Sequence, residues 1–103
     1  MKAYLIGDVE IEDPVRYEEY RSQVLSTIEK HGGRFVVRGG KAETVEGGWV
    51  PRRIVVIEFP DMIALKTWYH SSDYAPLAKL RQSCSNGRMI AVEGVELRGA
   101  PTL

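Results

Sequence analysis

Asp8, Glu58 and Arg38 are residue types suited to proton transfer and anion binding, and each falls within an apolar, strand-like stretch. A carboxylate shielded from water can carry a proton, and a guanidinium can grip an anion through two parallel N–H groups. Alternation places Asp8, Glu58 and Glu93 in phase with Tyr4, Ile54, Val56 and Met89. Arg38 has the parity of Val36, and its face depends on where the Gly39-Gly40 break falls. Charges on apolar strands need partners, because a buried ion left unpaired costs several kcal/mol. Two readings follow. In one, a polar pocket uses Asp8 or Glu58 as proton carrier and Arg38 as anion clamp. In the other, the same charges sit at strand ends, solvated or paired for structural reasons.

A second group, Trp68, Tyr69, His70, Ser71 and Tyr74, crowds a break between helical stretches. Such a cluster can wall a ligand pocket, or it can be core and bracing. Trp49, in a glycine-rich segment, suits covering a ligand and docking against a second subunit equally well. Arg53 and Arg81 carry the fork that binds carboxylates, although exposed arginines seldom act so specifically. Cys84 shares an apolar stripe with Leu77 and Leu80 and reads as core. With one cysteine, and with His31 and His70 the two histidines, no metal-ligand spacing emerges. His31 stands where a cation favours a helix C-terminus. The phosphate-cradling, dinucleotide-binding and nucleophile-elbow signatures are absent, so neither cofactor nor metal is expected.

The rest of the composition narrows the class. The chain's 103 residues fit one domain, residues 1–97, with a loose tail at 98–103. Fourteen basic and fourteen acidic residues cancel, which argues against nucleic acid as a partner. No stretch approaches the ~18 apolar residues that cross a bilayer, and the N-terminus lacks a signal-peptide pattern. The expectation is a cytoplasmic protein without membrane contact.

The elements that must position these side chains follow from local signals. Residues 2–11 alternate as a strand. Asp13-Pro14 opens a helix in which Tyr17, Tyr20, Val24 and Ile28 recur at helical spacing, and His31-Gly32-Gly33 closes it. Residues 34–38 form a second strand, residues 41–50 a glycine-hinged hairpin, and residues 52–59 a β-branched third strand. Pro60-Asp61 caps another helix; Ser71-Ser72-Asp73 breaks and recaps it; Ser85-Asn86-Gly87 ends it, and residues 88–97 supply a fourth strand. The order βαββαβ predicts an α+β, ferredoxin-like fold: a four-stranded antiparallel sheet with helices on one face.

The strands carry apolar groups on both faces. Leu5, Gly7 and Val9 oppose Tyr4, Ile6 and Asp8, while Val55, Ile57 and Phe59 oppose Ile54, Val56 and Glu58. The helices can cover one face only, and several hundred Å² of exposed apolar sheet is a liability in water. A homodimer through the open face is therefore expected, since two-fold self-complementary contacts are the commonest kind.

Four segments, Arg38-Gly39-Gly40, Trp49-Val50-Pro51-Arg52-Arg53, Ile57-Glu58-Phe59-Pro60 and Trp68-Tyr69-His70-Ser71-Ser72-Asp73-Tyr74, resemble the domain-of-unknown-function family 1330. The resemblance runs from Tyr4 through Glu93. It implies membership of the dimeric α/β-barrel superfamily, in which two ferredoxin-like subunits pack their sheets face to face. Ser72 departs from the proline usual in the family, and a serine there still suits a helix start. The family implies no substrate. Two function classes stay open: a cofactor-independent enzyme acting on a small organic molecule, of isomerase, lyase or monooxygenase type, or a non-catalytic dimeric module for a metabolite or protein partner. For the first, Trp49, Trp68 and Tyr69 would be pocket walls.

Overall fold

Alternate residues of the first strand are buried, and that pattern decides which side of the sheet is covered. A computed structural model describes residues 1–96. It contains β1 (Ala3–Ile11), α1 (Pro14–Lys30), β2 (Arg34–Arg38), β3 (Ile54–Phe59), α2 (Met62–Tyr69), α3 (Ala75–Cys84) and β4 (Ser85–Glu93). The strands form one antiparallel sheet in the order β2-β3-β1-β4, the ferredoxin-like arrangement that the element order implies. Leu97 and the expected tail at 98–103 lie outside the described residues. Among the described residues, no helix is long and apolar enough to cross a membrane.

The core forms where the inner face of the sheet meets the helices. Ala3, Leu5 and Val9 of β1 and Val55, Ile57 and Phe59 of β3 pack against Tyr17, Val24 and Ile28 of α1, with Leu65, Trp68 and Leu77 closing the layer. Asp13 caps α1 by accepting the Arg16 N–H at 3.2 Å, and Pro14 enters at the first turn without loss of a needed donor. The helix ends at His31, and Gly32 follows at φ 81°, a conformation that favours glycine. Asp61 caps α2 through the Ala64 N–H at 2.8 Å.

Four expectations need correction. Residues 41–50 form no hairpin: the chain from 39 to 53 is an irregular loop held chiefly by Asp8 of β1, with one side-chain bond across itself, from the Thr44 hydroxyl to the Trp49 carbonyl at 2.7 Å. Ser85-Asn86-Gly87 does not separate α3 from the last strand. It is the beginning of β4, since β1 extends to Ile11 and offers pairing partners as far as Ser85. That longer pairing sets the register, so Met89 and Glu93 lie opposite Gly7 and Ala3 on the helix side, away from the face of Asp8. The break between α2 and α3 is capped by Ser71 and not Ser72: the Ser71 hydroxyl accepts the Tyr74 N–H at 3.2 Å and donates to the Trp68 carbonyl at 2.7 Å.

Candidate functional site

The two faces of the sheet divide the chemically capable residues into separate sets. On the outer face, Asp8 and Glu58 stand at opposite ends. Tyr4 pairs with Glu58 and Asp8 with Ile54, so four residues of strand separate them, about 13 Å. Each carboxylate is fully engaged. Asp8 accepts the Arg52 N–H at 2.9 Å, the Arg53 N–H at 3.2 Å and the Trp49 indole N–H at 3.0 Å, with the Arg88 guanidinium 3.9 Å away. Burial pushes the Asp8 carboxyl up, but the Trp49, Arg52 and Arg53 hydrogen bonds and the Arg88 charge outweigh it and hold the group below its ordinary value. Glu58 accepts from Arg34 Nε at 2.9 Å, Tyr4 Oη at 3.0 Å and Lys2 Nζ at 3.4 Å. The Arg34 hydrogen bond leads in lowering its pKa, against the effect of burial, and Tyr4 and Lys2 add to it. A carboxylate stabilised in this way is a weak base at neutral pH.

Arg38 lies on the other side of the sheet. A bulge at Val36 shifts the β2–β3 register, so Arg34 faces outward opposite Glu58 while Arg38 pairs with Val55 on the helix side. Its guanidinium sits 4.2 Å over the Phe35 ring and donates to the Arg21 carbonyl at 2.7 Å. The sequence parity that linked Arg38 to Val36 is thereby broken, and Arg38 does not meet Asp8 or Glu58.

What Arg38 meets is a cleft between the inner sheet face and α1. Its apolar walls include Leu5, Val9, Val55 and Ile57, and its polar groups are Tyr17, Tyr20, Arg38, Arg53 and Arg81, with Arg21 at the rim. The free space inside is about 20 Å³, enough for a water or a small ionic group. Arg53 Nη1 donates to Tyr17 Oη at 3.2 Å, and its guanidinium carbon lies 5.5 Å from the centre of the Tyr17 ring. Tyr20 and Tyr74 share a hydroxyl–hydroxyl bond of 3.0 Å, and Arg81 Nε reaches Tyr74 Oη at 3.4 Å. Arg81, only 5% exposed, is buried, contrary to the expectation of an exposed helix arginine.

Charge in the cleft is one-sided. Among the described residues no carboxylate lies within 4.0 Å of Arg38, Arg53 or Arg81, whereas Arg21, Arg34, Arg52, Arg88, Lys2 and Lys30 each have one. Burial, followed by the positive charges of Arg21 and Arg53, lowers the Arg38 pKa. Burial raises the Tyr17 pKa despite the nearby Arg53 and Arg81 charges, and it raises that of Tyr20 far more. Both phenols therefore stay protonated; Tyr17 accepts from Arg53, which leaves its own O–H to donate, and either hydroxyl of the Tyr20–Tyr74 pair can be the donor.

The remaining candidates occupy other places. Trp68 and Tyr74 are both 0% exposed; Trp68 stacks on Phe59 at 5.4 Å and on Tyr74 at 4.1 Å, and its indole donates to Thr27 Oγ1 at 3.0 Å. Trp68 is core. Tyr74 supports the cleft from behind through Tyr20 and Arg81, and Ser71 fastens the turn between α2 and α3. Tyr69 stands half-buried beside an open polar hollow with Arg81 and Gln82. Trp49, 55% exposed, lies over the outer sheet face beside Ile6, Ile54 and Ile90, bordering an open hollow of about 380 Å³. Cys84 is buried, and burial raises its thiol pKa. Sequence reasoning missed Tyr17 and Tyr20, which helical spacing had marked as core. Their signal was the phenol itself, a polar tip on an otherwise apolar stripe. No group of three or more metal-ligating side chains occurs among the described residues.

Fold and comparison agree on the class: a ferredoxin-like α+β protein. The chain belongs to the family described as a domain of unknown function, DUF1330, whose model matches residues 2–95. Among solved structures it is similar to a protein of unknown function from Rhodopseudomonas palustris, with a TM-score of 0.76, 17% identity, and coverage of 92% of this chain and 83% of that one. It is also similar to a dimeric ferredoxin-like protein of unknown function from Jannaschia sp., with a TM-score of 0.67, 15% identity, and coverage of 91% and 100%. A third is SnoaB, a cofactor-independent oxygenase from Streptomyces nogalater, with a TM-score of 0.64, 12% identity, and coverage of 96% and 98%. No curated protein matches the sequence.

Proposed function

We propose that this chain is a homodimer that binds a small organic acid in the cleft between its sheet and α1, and acts on it without a cofactor. The observation that carries this reading is the convergence of Arg38, Arg53 and Arg81 on one cleft with no carboxylate beside them among the described residues. Cations withdrawn from water without a counter-charge weaken a fold, and an anionic ligand offsets that cost. With Tyr17 and Tyr20 as donors, the cleft has the fixed charge and O–H groups that stabilise negative charge developing on a substrate oxygen. Enolisation in an isomerase, lyase or monooxygenase reaction develops such charge, and with no base among the described lining residues the α-proton would pass to solvent water at the cleft mouth. The naming of SnoaB as a cofactor-independent oxygenase supports the reading by fold analogy alone. In this proposal Asp8 and Glu58 are structural anchors, since their hydrogen bonds leave them poor proton acceptors.

The dimer rests on the outer face. Ile90 and Val92 are 62% and 42% exposed there, beside half-buried Ile6, Ile54 and Val56, while charged groups are confined to the ends of the face. The dimeric description of the Jannaschia protein supports a dimer without saying which face forms it. A cytoplasmic location is part of the proposal and is tested by cell fractionation. One observation favours the non-catalytic reading: among the described residues neither a carboxylate nor an imidazole lines the cleft to serve as a base.

Thermal-shift measurements with millimolar carboxylates and their matched amides test the cleft. Acids are expected to raise the melting temperature and amides to leave it unchanged, with the acid effect lost in Arg53→Gln. Equal shifts from both, or none from either, would overturn the proposal. Anion binding without turnover across a broad panel of enolisable acids would select the non-catalytic reading.

A further inference from the structure

Arg81 borders more than the inner cleft. Together with Met89 it also lines an open hollow on the helix side, formed with Tyr69, Gln82, Ser85 and Gly87. The cleft has about 20 Å³ of free space and the hollow about 380 Å³. Only a charged head the size of a carboxylate suits the first, whereas several atoms of a longer ligand fit the second. Arg81 and Met89 are the partition between them.

The partition is weakly fastened on its polar side. The Arg81 guanidinium makes one hydrogen bond to a side chain, the 3.4 Å contact with Tyr74, and has no carboxylate partner among the described residues. Gly87 leaves the space beside it open: a Cβ there would come to 3.7 Å of Arg81 Nη1. Tyr69 is close enough to influence the Arg81 guanidinium electrostatically. Among the described residues the Tyr69 hydroxyl and the Gln82 amide have no hydrogen-bond partner, and no Asp, Glu, Lys or His lines the hollow. The hollow thus presents uncharged donors and acceptors beside one shared cation.

We infer that the two spaces form one bipartite site whose ligand is an extended monocarboxylic acid with a neutral oxygen-bearing tail. The carboxylate enters the cleft of Arg38, Arg53 and Arg81. The tail passes Arg81 and places a hydroxyl or carbonyl oxygen between Tyr69 and Gln82. This inference rests on the anion-binding reading above and specifies the class of ligand for that site.

The test is a calorimetric titration with two series of probes, the ω-hydroxy carboxylates from hydroxyacetate to 6-hydroxyhexanoate and the matching unsubstituted acids. At the length where the hydroxyl reaches the hollow, the hydroxy acid is expected to bind at least fivefold more tightly than its unsubstituted match. In the double variant Tyr69→Phe, Gln82→Ala the two should bind equally. Gly87→Leu, which fills the passage without removing a polar group, should also abolish the gain. If unsubstituted acids bind and no hydroxy acid gains affinity at any length, the bipartite site is refuted while the cleft reading stands. A gain that survives in both variants refutes it as well. If neither series binds, the cleft reading itself fails and takes this inference with it.

Discussion

Replacing Gly39 with alanine should damage anion binding from a position that touches no ligand. Gly39 has φ 73°, and a Cβ built on it would stand 2.7 Å from Arg53 Nε and 2.9 Å from its Cζ and Nη2. Ordinary contact begins near 3.4 Å, so the guanidinium must retreat by about 0.7 Å. Moved directly away, the 3.2 Å bond from Arg53 Nη1 to Tyr17 Oη would lengthen to about 3.9 Å and be lost. Alanine in the left-handed region adds ~1–2 kcal/mol of backbone cost, which lowers the melting temperature by roughly 4–8 °C per kcal/mol in a domain of this size. A charge-assisted hydrogen bond to an anion contributes ~1.5–3 kcal/mol, so benzoate affinity should fall by roughly ten- to a hundredfold. The assay is calorimetric titration of benzoate, paired with urea denaturation. Gly40→Ala is the control, because a Cβ there meets nothing within 4 Å and its φ is not positive. If Gly39→Ala binds benzoate as the parent chain does, while Arg53→Gln does not, the proposed crossing of Gly39 over Arg53 is refuted.

Other expectations follow from the outer face. Asp8→Asn sets an amide N–H against the Trp49 indole N–H; it should cost about 1–3 kcal/mol and speed tryptic cleavage after Lys41, and unchanged proteolysis would contradict the anchoring role of Asp8. Asp8 and Glu58 ionise more readily in the folded chain than in the unfolded one, so their contribution is fully present above the unfolded values of about 4 and is lost as pH falls through the lower folded values. Stability should therefore decline below about pH 4, and the decline should be shallower in the double variant Asp8→Asn, Glu58→Gln; parallel curves would refute the assignment. If the proposed dimer forms through the outer face, Ile90→Asp should give a monomer by light scattering without loss of helical circular dichroism, and a persistent dimer would place the interface elsewhere.

The sequence disclosed the frame of this protein because the frame is built from local signals. Asp13-Pro14, Gly32 and Asp61 act on their own neighbourhood, and the structure uses them as helix punctuation. Apolar residues on both sides of β1 and β3 were readable for the same reason. The site was less legible because it depends on register. The bulge at Val36 turns Arg38 to the helix side, and the extension of β4 back to Ser85 moves Met89 and Glu93 across the sheet. No glycine or proline stands at Val36, and Gly87, inside the extended strand, gives locally the signal of a turn. The cleft arginines come from β2, the residue before β3, and α3. Arg53 and Arg81 were visible as candidate carboxylate binders, but their meeting with Arg38 depends on packing that no spacing encodes. Asp8 illustrates the converse. Its type suggested proton transfer, while the loop from 39 to 53 uses it as an anchor.

The most direct test of an anion site at this cleft is to follow the arginine Nε–Hε resonances by NMR during titration with acetate. The account predicts that the signals of Arg38, Arg53 and Arg81 shift together and saturate with one binding constant, while Arg52 and Arg88 on the outer side stay in place. Shifts confined to Arg52 and Arg88, or a linear drift of all arginines without saturation, would contradict it.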